Sequence, residues 1–246
     1  MTQRYRLDLS YDGSQYHGWQ KQPNASTIQE KIEKALSIIF QAPIEVVGSG
    51  RTDAGVHAEH QVVHFDLVDQ NDFNSGKVLH SLRGLLPHDI MVSGLEFVSA
   101  DFHARFNAIQ RYYRYQISRK PNVFTDRYTW LVPDFHDVET AIDTASVFLG
   151  EHDFSAFCKP NPDILNNRCS VFTSELVQVN ADSWNYNISA NRFLHHMVRS
   201  IVSAIVDVGR GKIKPMDVSK RLQDLDRTKF SVKAPAHALF LEKVVY

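Results

Sequence analysis

Between residues 4 and 11 apolar and polar side chains alternate without a break. Tyr5, Leu7, Leu9 and Tyr11 fall on one side, and Arg4, Arg6, Asp8 and Ser10 on the other. A period of two predicts a half-buried strand. The period then changes. Over 27–40, Ile28, Ile32, Ala35, Leu36 and Ile39 share one helical stripe, and Thr27 with Glu30 has the spacing of a capping box. A short strand is expected at 44–47 and another at 61–67. Val78, Leu79, Leu82 and Leu85 mark a second helix that stops near Pro87, with strands following at 91–98 and 111–118.

The rhythm then repeats. Ala141, Ile142, Ala145, Phe148 and Leu149 form one helical stripe, with Gly150 as its cap. Strands at 171–179 and 184–190 flank the polar turn Asn180-Ala181-Asp182-Ser183. A long helix over 192–208 carries Met197, Val198, Ile201, Val202 and Ile205 on its buried side. Gly209, Gly211 and Pro215 interrupt the chain before a last short helix, and 238–245 closes it as a strand. This distribution predicts an α+β fold with helices packed on largely antiparallel sheets. The expected organisation is an N-terminal half over 1–118, a connecting region over 119–136 with Pro121 and Pro133, and a C-terminal half over 137–246.

Composition narrows the class. A chain of 246 residues can bury a substantial core. No apolar run approaches the ~18 residues of a membrane span, and the opening Met-Thr-Gln-Arg-Tyr-Arg lacks the apolar region of a secretory signal. Two cysteines, Cys158 and Cys169, are too few for a disulfide framework and fit a reducing compartment, so a cytoplasmic protein is expected. Net charge is −1, yet its distribution is uneven. Residues 101–120 hold Arg105, Arg111, Arg114, Arg119 and Lys120 against Asp101 alone, and 191–214 hold Arg192, Arg199, Arg210, Lys212 and Lys214 against Asp207 alone. The acids gather in Asp66–Asp72 and Asp134–Glu139. Such segregation permits a basic groove on a nearly neutral protein.

The chemistry is expected in Val46-Val47-Gly48-Ser49-Gly50-Arg51-Thr52-Asp53-Ala54-Gly55-Val56-His57-Ala58. Glycines at 48, 50 and 55 allow tight bends, and between them stand one cation and one carboxylate, Arg51 and Asp53. A charged pair on a loop after a strand suits substrate binding, while a turn stabilised by Asp53 is the plain structural alternative. The loop is not a nucleotide cradle. It lacks both G-x-G-x-x-G and G-x-x-x-x-G-K-[ST], and Asp53 would repel phosphate. His57, His60 and His64 pass from loop into strand and share no helical face, so they do not form a zinc pattern, and no metal site is expected.

The Gly50-Arg51-Thr52-Asp53-Ala54-Gly55-Val56-His57-Ala58 run closely resembles the active-site motif of the tRNA pseudouridine synthase A family. Tyr11-Asp12-Gly13, Tyr16-His17-Gly18-Trp19-Gln20 and Thr27-Ile28-Gln29 match its amino-terminal signature. Phe102-His103-Ala104-Arg105-Phe106, Arg111-Tyr112-Tyr113-Arg114-Tyr115, His152-Asp153-Phe154 and Phe193-Leu194-His195-His196-Met197-Val198-Arg199 match later motifs in order. Two positions depart from the pattern: Ala238 stands where relatives usually carry glycine, and Ser200 replaces a common asparagine.

The resemblance implies the pseudouridine synthase fold, with two similar halves whose sheets join across a central RNA-binding cleft. It implies a homodimer that holds one tRNA across both subunits. The implied activity is cofactor-independent isomerisation of uridine to pseudouridine at positions 38, 39 and 40 of the anticodon stem-loop. Asp53 would be the catalytic aspartate, whether it attacks the ribose or abstracts a ribose proton. Arg199 would pair with it, Tyr113 would stack over the target uracil, and Arg51 would help displace the base and fill its place. Arg105, Arg111 and His196 are expected on the substrate side, His195 or His196 touching phosphate or holding the helix. The alternatives are a related synthase with another RNA target and a noncatalytic RNA-binding protein, with a generic hydrolase ranking last for want of a second catalytic carboxylate.

Overall fold

The computed structural model describes residues 2–68, 73–162, 165–225 and 233–246; Asp69 and Asp72 of the acidic run lie outside them. The chain forms two compact units, Met1–Ile109 with Phe240–Tyr246, and Gln110–Leu239.

In the first unit, β1 (Thr2–Tyr11) pairs antiparallel with both β3 (His57–Val68) and β4 (Ile90–Val98). The two-residue β2 (Val47–Gly48) and the start of β10 (Leu239–Val245) share the other side of β3, β2 antiparallel and β10 parallel. The alternation of 5, 7, 9 and 11 holds, since all four side chains are buried. Their register opposite Phe65 and Val63 continues one apolar face across the sheet, which ends at the buried amide of Gln61. That face meets α1 (Ile28–Phe40), whose Phe40 packs on Phe65, and α2 (Ser75–Leu85) lies beside it. At the start of α1, the Thr27 hydroxyl accepts the Glu30 amide, which is half of the expected box. In α2 only Val78 and Leu82 are buried, and Leu85 is exposed. The expected strand at 44–47 is confined to β2, because side chains of α1 rather than another strand bind the backbone at 46.

In the second unit the sheet runs β5 (Gln110–Ser118), β9 (Ser183–Ala190), β8 (Arg168–Asn180) and β7 (Gly150–Asp153), all antiparallel, with β6 (Trp130–Leu131) parallel on β5. Tyr115, Ile117, Trp184, Tyr186 and Ile188 are buried, α3 (Val138–Ala145) packs on β8, and α4 (Met197–Gly209) and α5 (Pro215–Asp224) pack against α3. The fold is mixed α/β, with sheets that are largely antiparallel.

Two expected helices end differently. The stripe at 141–149 is one α-helix to Ala145 and then a tight 3-10 turn at Ser146–Phe148. Gly150, at φ 93°, opens β7 instead of capping the helix. More consequential is α4, expected from 192, which begins at Met197. Phe193 and Leu194 continue its apolar spacing, but His196 sits in the left-handed region at φ 68° and breaks the helical path. Ala238, fully buried in a tight turn, has no positive φ, so the position accommodates a side chain without strain.

Candidate active site

Asp53 lies on the loop between β2 and β3, and the chain holds that loop from both sides. At its entry, the fully buried Gln61 of β3 donates to the Gly50 carbonyl at 3.2 Å and is bonded to the Ser49 hydroxyl. The Ser49 amide donates to the Val62 carbonyl at 2.8 Å. Next, the Thr52 hydroxyl meets the Tyr11 hydroxyl at 2.9 Å in the interior, and the Trp19 amide donates to the Thr52 carbonyl at 3.1 Å. Finally the Val56 amide closes a turn on the Asp53 carbonyl at 3.1 Å, and Gly55 takes φ 78°. Arg51 and Asp53 thereby flank an inward-facing threonine: Arg51 is exposed, Thr52 buried and Asp53 half-buried.

The glycines of the loop serve different ends. Only Gly55 needs positive φ. Gly48 is small because a Cβ there would come within 3 Å of the Trp19 indole. Trp19 belongs to the segment joining the loop to α1, since its carbonyl accepts the Gln29 amide at 3.0 Å.

The three histidines after the loop each accept a different backbone amide. His57 Nδ1 takes Gly13, His60 Nδ1 takes Val244 and His64 Nδ1 takes Ala104, at 3.1 to 3.3 Å. They are ties between β3 and three other segments, and His57 also stacks on Phe240. Burial, with the Arg4 and His103 charges adding to it, pushes His64 down to about 4. Arg105 is exposed on the turn beyond Ala104, with its guanidinium 5.6 Å from the Phe106 ring centre.

In the second unit a second group of expected residues gathers at the start of α4. Arg199 is the third residue of that helix and is half-buried. Its Nε donates to the Ala234 carbonyl at 2.7 Å, and its own carbonyl accepts the Ala234 amide at 3.1 Å. The neighbouring Pro235 carbonyl accepts the Tyr115 hydroxyl at 2.9 Å. Tyr113 shares the strand face of Tyr115, half-buried, with its ring edge-on to Phe193 at 5.0 Å. Arg111 donates to the Asn191 carbonyl at 2.7 Å. His195 and His196 form the turn before α4, not part of the helix as expected, because residue 196 has left helical geometry. Their rings are 3.9 Å apart, and His196 Nδ1 lies 3.3 Å from the Lys233 ammonium. The Ser200 hydroxyl is buried with no hydrogen-bond partner among the described residues.

Sequence patterns did not reveal the clamps on the loop or the Ala234 tie to Arg199. The alternation marks Tyr5 and Tyr11 alike as inward-facing and does not set the Tyr11 hydroxyl apart.

A carboxylate on an ordered loop is a candidate catalytic group, and its position does not by itself name a substrate. Comparison with known proteins makes this specific. The family model described as tRNA pseudouridine synthase matches residues 9–107 and 144–246. The chain is 40% identical over 245 residues to tRNA pseudouridine synthase A of Bacteroides fragilis, covering 100% of this chain and 97% of the relative. It is 41% identical over 246 residues to that of Bacteroides thetaiotaomicron, covering 99% and 91%. It is 39% identical over 245 residues to that of Dictyoglomus thermophilum, covering 98% and 99%. The chain belongs to the tRNA pseudouridine synthase A family. As a member it is an isomerase.

Proposed function

We propose that this protein isomerises uridine to pseudouridine at positions 38, 39 and 40 of the tRNA anticodon stem-loop, with Asp53 as the catalytic carboxylate and no cofactor. The observation that carries the proposal is a half-buried carboxylate, in the family's motif, on a loop whose neighbouring residues are fixed by backbone and side-chain hydrogen bonds. The reaction breaks the N1–C1′ bond, turns the uracil and joins C5 to C1′, with the C5 proton lost and N1 gaining one. Net composition is unchanged, so no redox partner is required. A carboxylate can serve as nucleophile or as base here, and either route needs it ionised and aimed at the ribose.

Arg199 is the proposed partner of Asp53. A cation in the first turn opposes the positive end of the helix dipole, and that turn contains no acid of its own. An anion supplied from elsewhere offsets this cost, and a carboxylate matches the planar guanidinium. Tyr113 offers a partly open ring for stacking on the uracil, and Arg51, exposed beside Asp53, fills the space of the extruded base. Arg105, Arg111 and His196 hold the RNA backbone, and a homodimer supplies the groove. The test is to map pseudouridines in tRNA from cells with and without this protein. Loss confined to positions 38, 39 and 40 is expected; an unchanged pattern there contradicts the proposal, and loss in another RNA reassigns the substrate.

A further inference from the structure

We infer that Tyr11 and Thr52 are positioning residues for the reaction, a buried hydroxyl pair that fixes the peptide carrying Asp53. The inference rests on Asp53 being the catalytic carboxylate.

Thr52 is the only residue between Arg51 and Asp53, and its side chain points inward, 8% exposed. Its Oγ1 meets the Tyr11 hydroxyl at 2.9 Å, and Gln61 reaches the same phenol. Tyr11 is itself immobilised. It ends β1 between partners on β3 and β4, and its ring packs against Trp19 with centroids 6.2 Å apart. Trp19 in turn donates its amide to the Thr52 carbonyl at 3.1 Å. One residue is thus held at side chain and carbonyl by two residues that also hold each other.

Packing alone does not account for the hydroxyls. Valine has nearly the shape of threonine, and phenylalanine that of tyrosine, so an apolar pair would fill the same space. What the pair adds is direction: an O–H···O bond fixes the side-chain rotamer of Thr52 and, through it, the peptide leading into Asp53. Rotation of that peptide would swing the Asp53 side chain on an arc about its backbone. Displacement of a reacting group by about an ångström costs up to about a hundredfold in rate. Burial pushes the Tyr11 phenol up to about 12, so it stays protonated wherever the enzyme works.

The test is a double-mutant cycle of Tyr11→Phe and Thr52→Val, with Thr52→Ser beside it, read by single-turnover pseudouridine formation and by tRNA affinity. Thr52→Val is expected to lose about tenfold in rate with affinity little changed, the worth of one neutral buried hydrogen bond, and Tyr11→Phe, which also gives up Gln61, at least as much. The double variant should be no slower than Tyr11→Phe, because that variant already loses the Thr52 bond together with the Gln61 contact. Thr52→Ser should recover most of the rate. Wild-type rates for Thr52→Val and Tyr11→Phe overturn the inference. So do additive losses, or losses that follow tRNA affinity. If Tyr11→Phe does not fold, the contrast of Thr52→Ser with Thr52→Val decides alone. Asp53→Ala is assayed alongside. If it retains activity, the catalytic assignment of Asp53 fails; if it is inactive while the hydroxyl variants run at full rate, only the positioning role fails.

Discussion

His64 shows how a single side chain can serve the fold while resembling chemistry. Its Nδ1 must stay unprotonated to accept the Ala104 amide, and burial with nearby positive groups holds its pKa at about 4. An unfolded histidine titrates near 6.5, so between those values the unfolded chain binds a proton that the folded chain refuses. Stability contributed by neutral His64 is complete above about 6.5 and is lost as pH falls towards about 4. Urea denaturation should therefore show a loss of roughly 2 kcal/mol between pH 7 and pH 5 that is absent in His64→Gln, whose amide oxygen can still accept. Equal pH dependence in both proteins would contradict this role. In the sequence, the spacing of His57, His60 and His64 excluded a zinc pattern but could not show what the rings do. Their partners, Gly13, Ala104 and Val244, are 40 or more residues away.

At the scale of elements, strands were legible where apolar and polar positions alternate, although β3 and β8 begin four and three residues before the expected starts at 61 and 171. The 4–11 alternation and the strands at 91–98, 111–118 and 184–190 fall within two residues of their observed bounds. Helix ends were less so. The start of α4 was hidden because Phe193, Leu194, Met197 and Val198 keep helical spacing through a turn that is not helical, and no capping residue marks the break. The glycines were legible as a group and not one by one. Gly18, outside the Asp53 loop, is constrained twice: φ is 91° and a Cβ would lie 2.6 Å from the Thr52 carbonyl oxygen. Gly50, inside it, has open space around its Cβ position and no positive φ. Gly18→Ala should thus cost at least about 2 kcal/mol from backbone strain and overlap, against about 0.5 kcal/mol or less for Gly50→Ala. Chemical denaturation of the two variants checks this, and equal stabilities would contradict it.

At the scale of the whole molecule, the charge segregation seen in the sequence is partly cancelled in the fold. Arg119 and Lys120 reach Asp182, and Arg210 reaches Asp134, each pair joining distant segments. No helix among the described residues is long and apolar enough to cross a membrane. Family membership was legible because its motifs are local strings. The devices that hold them are not, since Tyr11 with Thr52 and Arg199 with Ala234 are pairs set by folding. At all three scales the proposed chemistry rests on one carboxylate, Asp53. Single-turnover conversion of an anticodon stem-loop tRNA by purified Asp53→Ala, with binding measured in parallel, tests it most directly. No pseudouridine above background is expected, with tRNA affinity close to that of the unaltered protein; conversion near the unaltered rate would rule out the proposed role of Asp53.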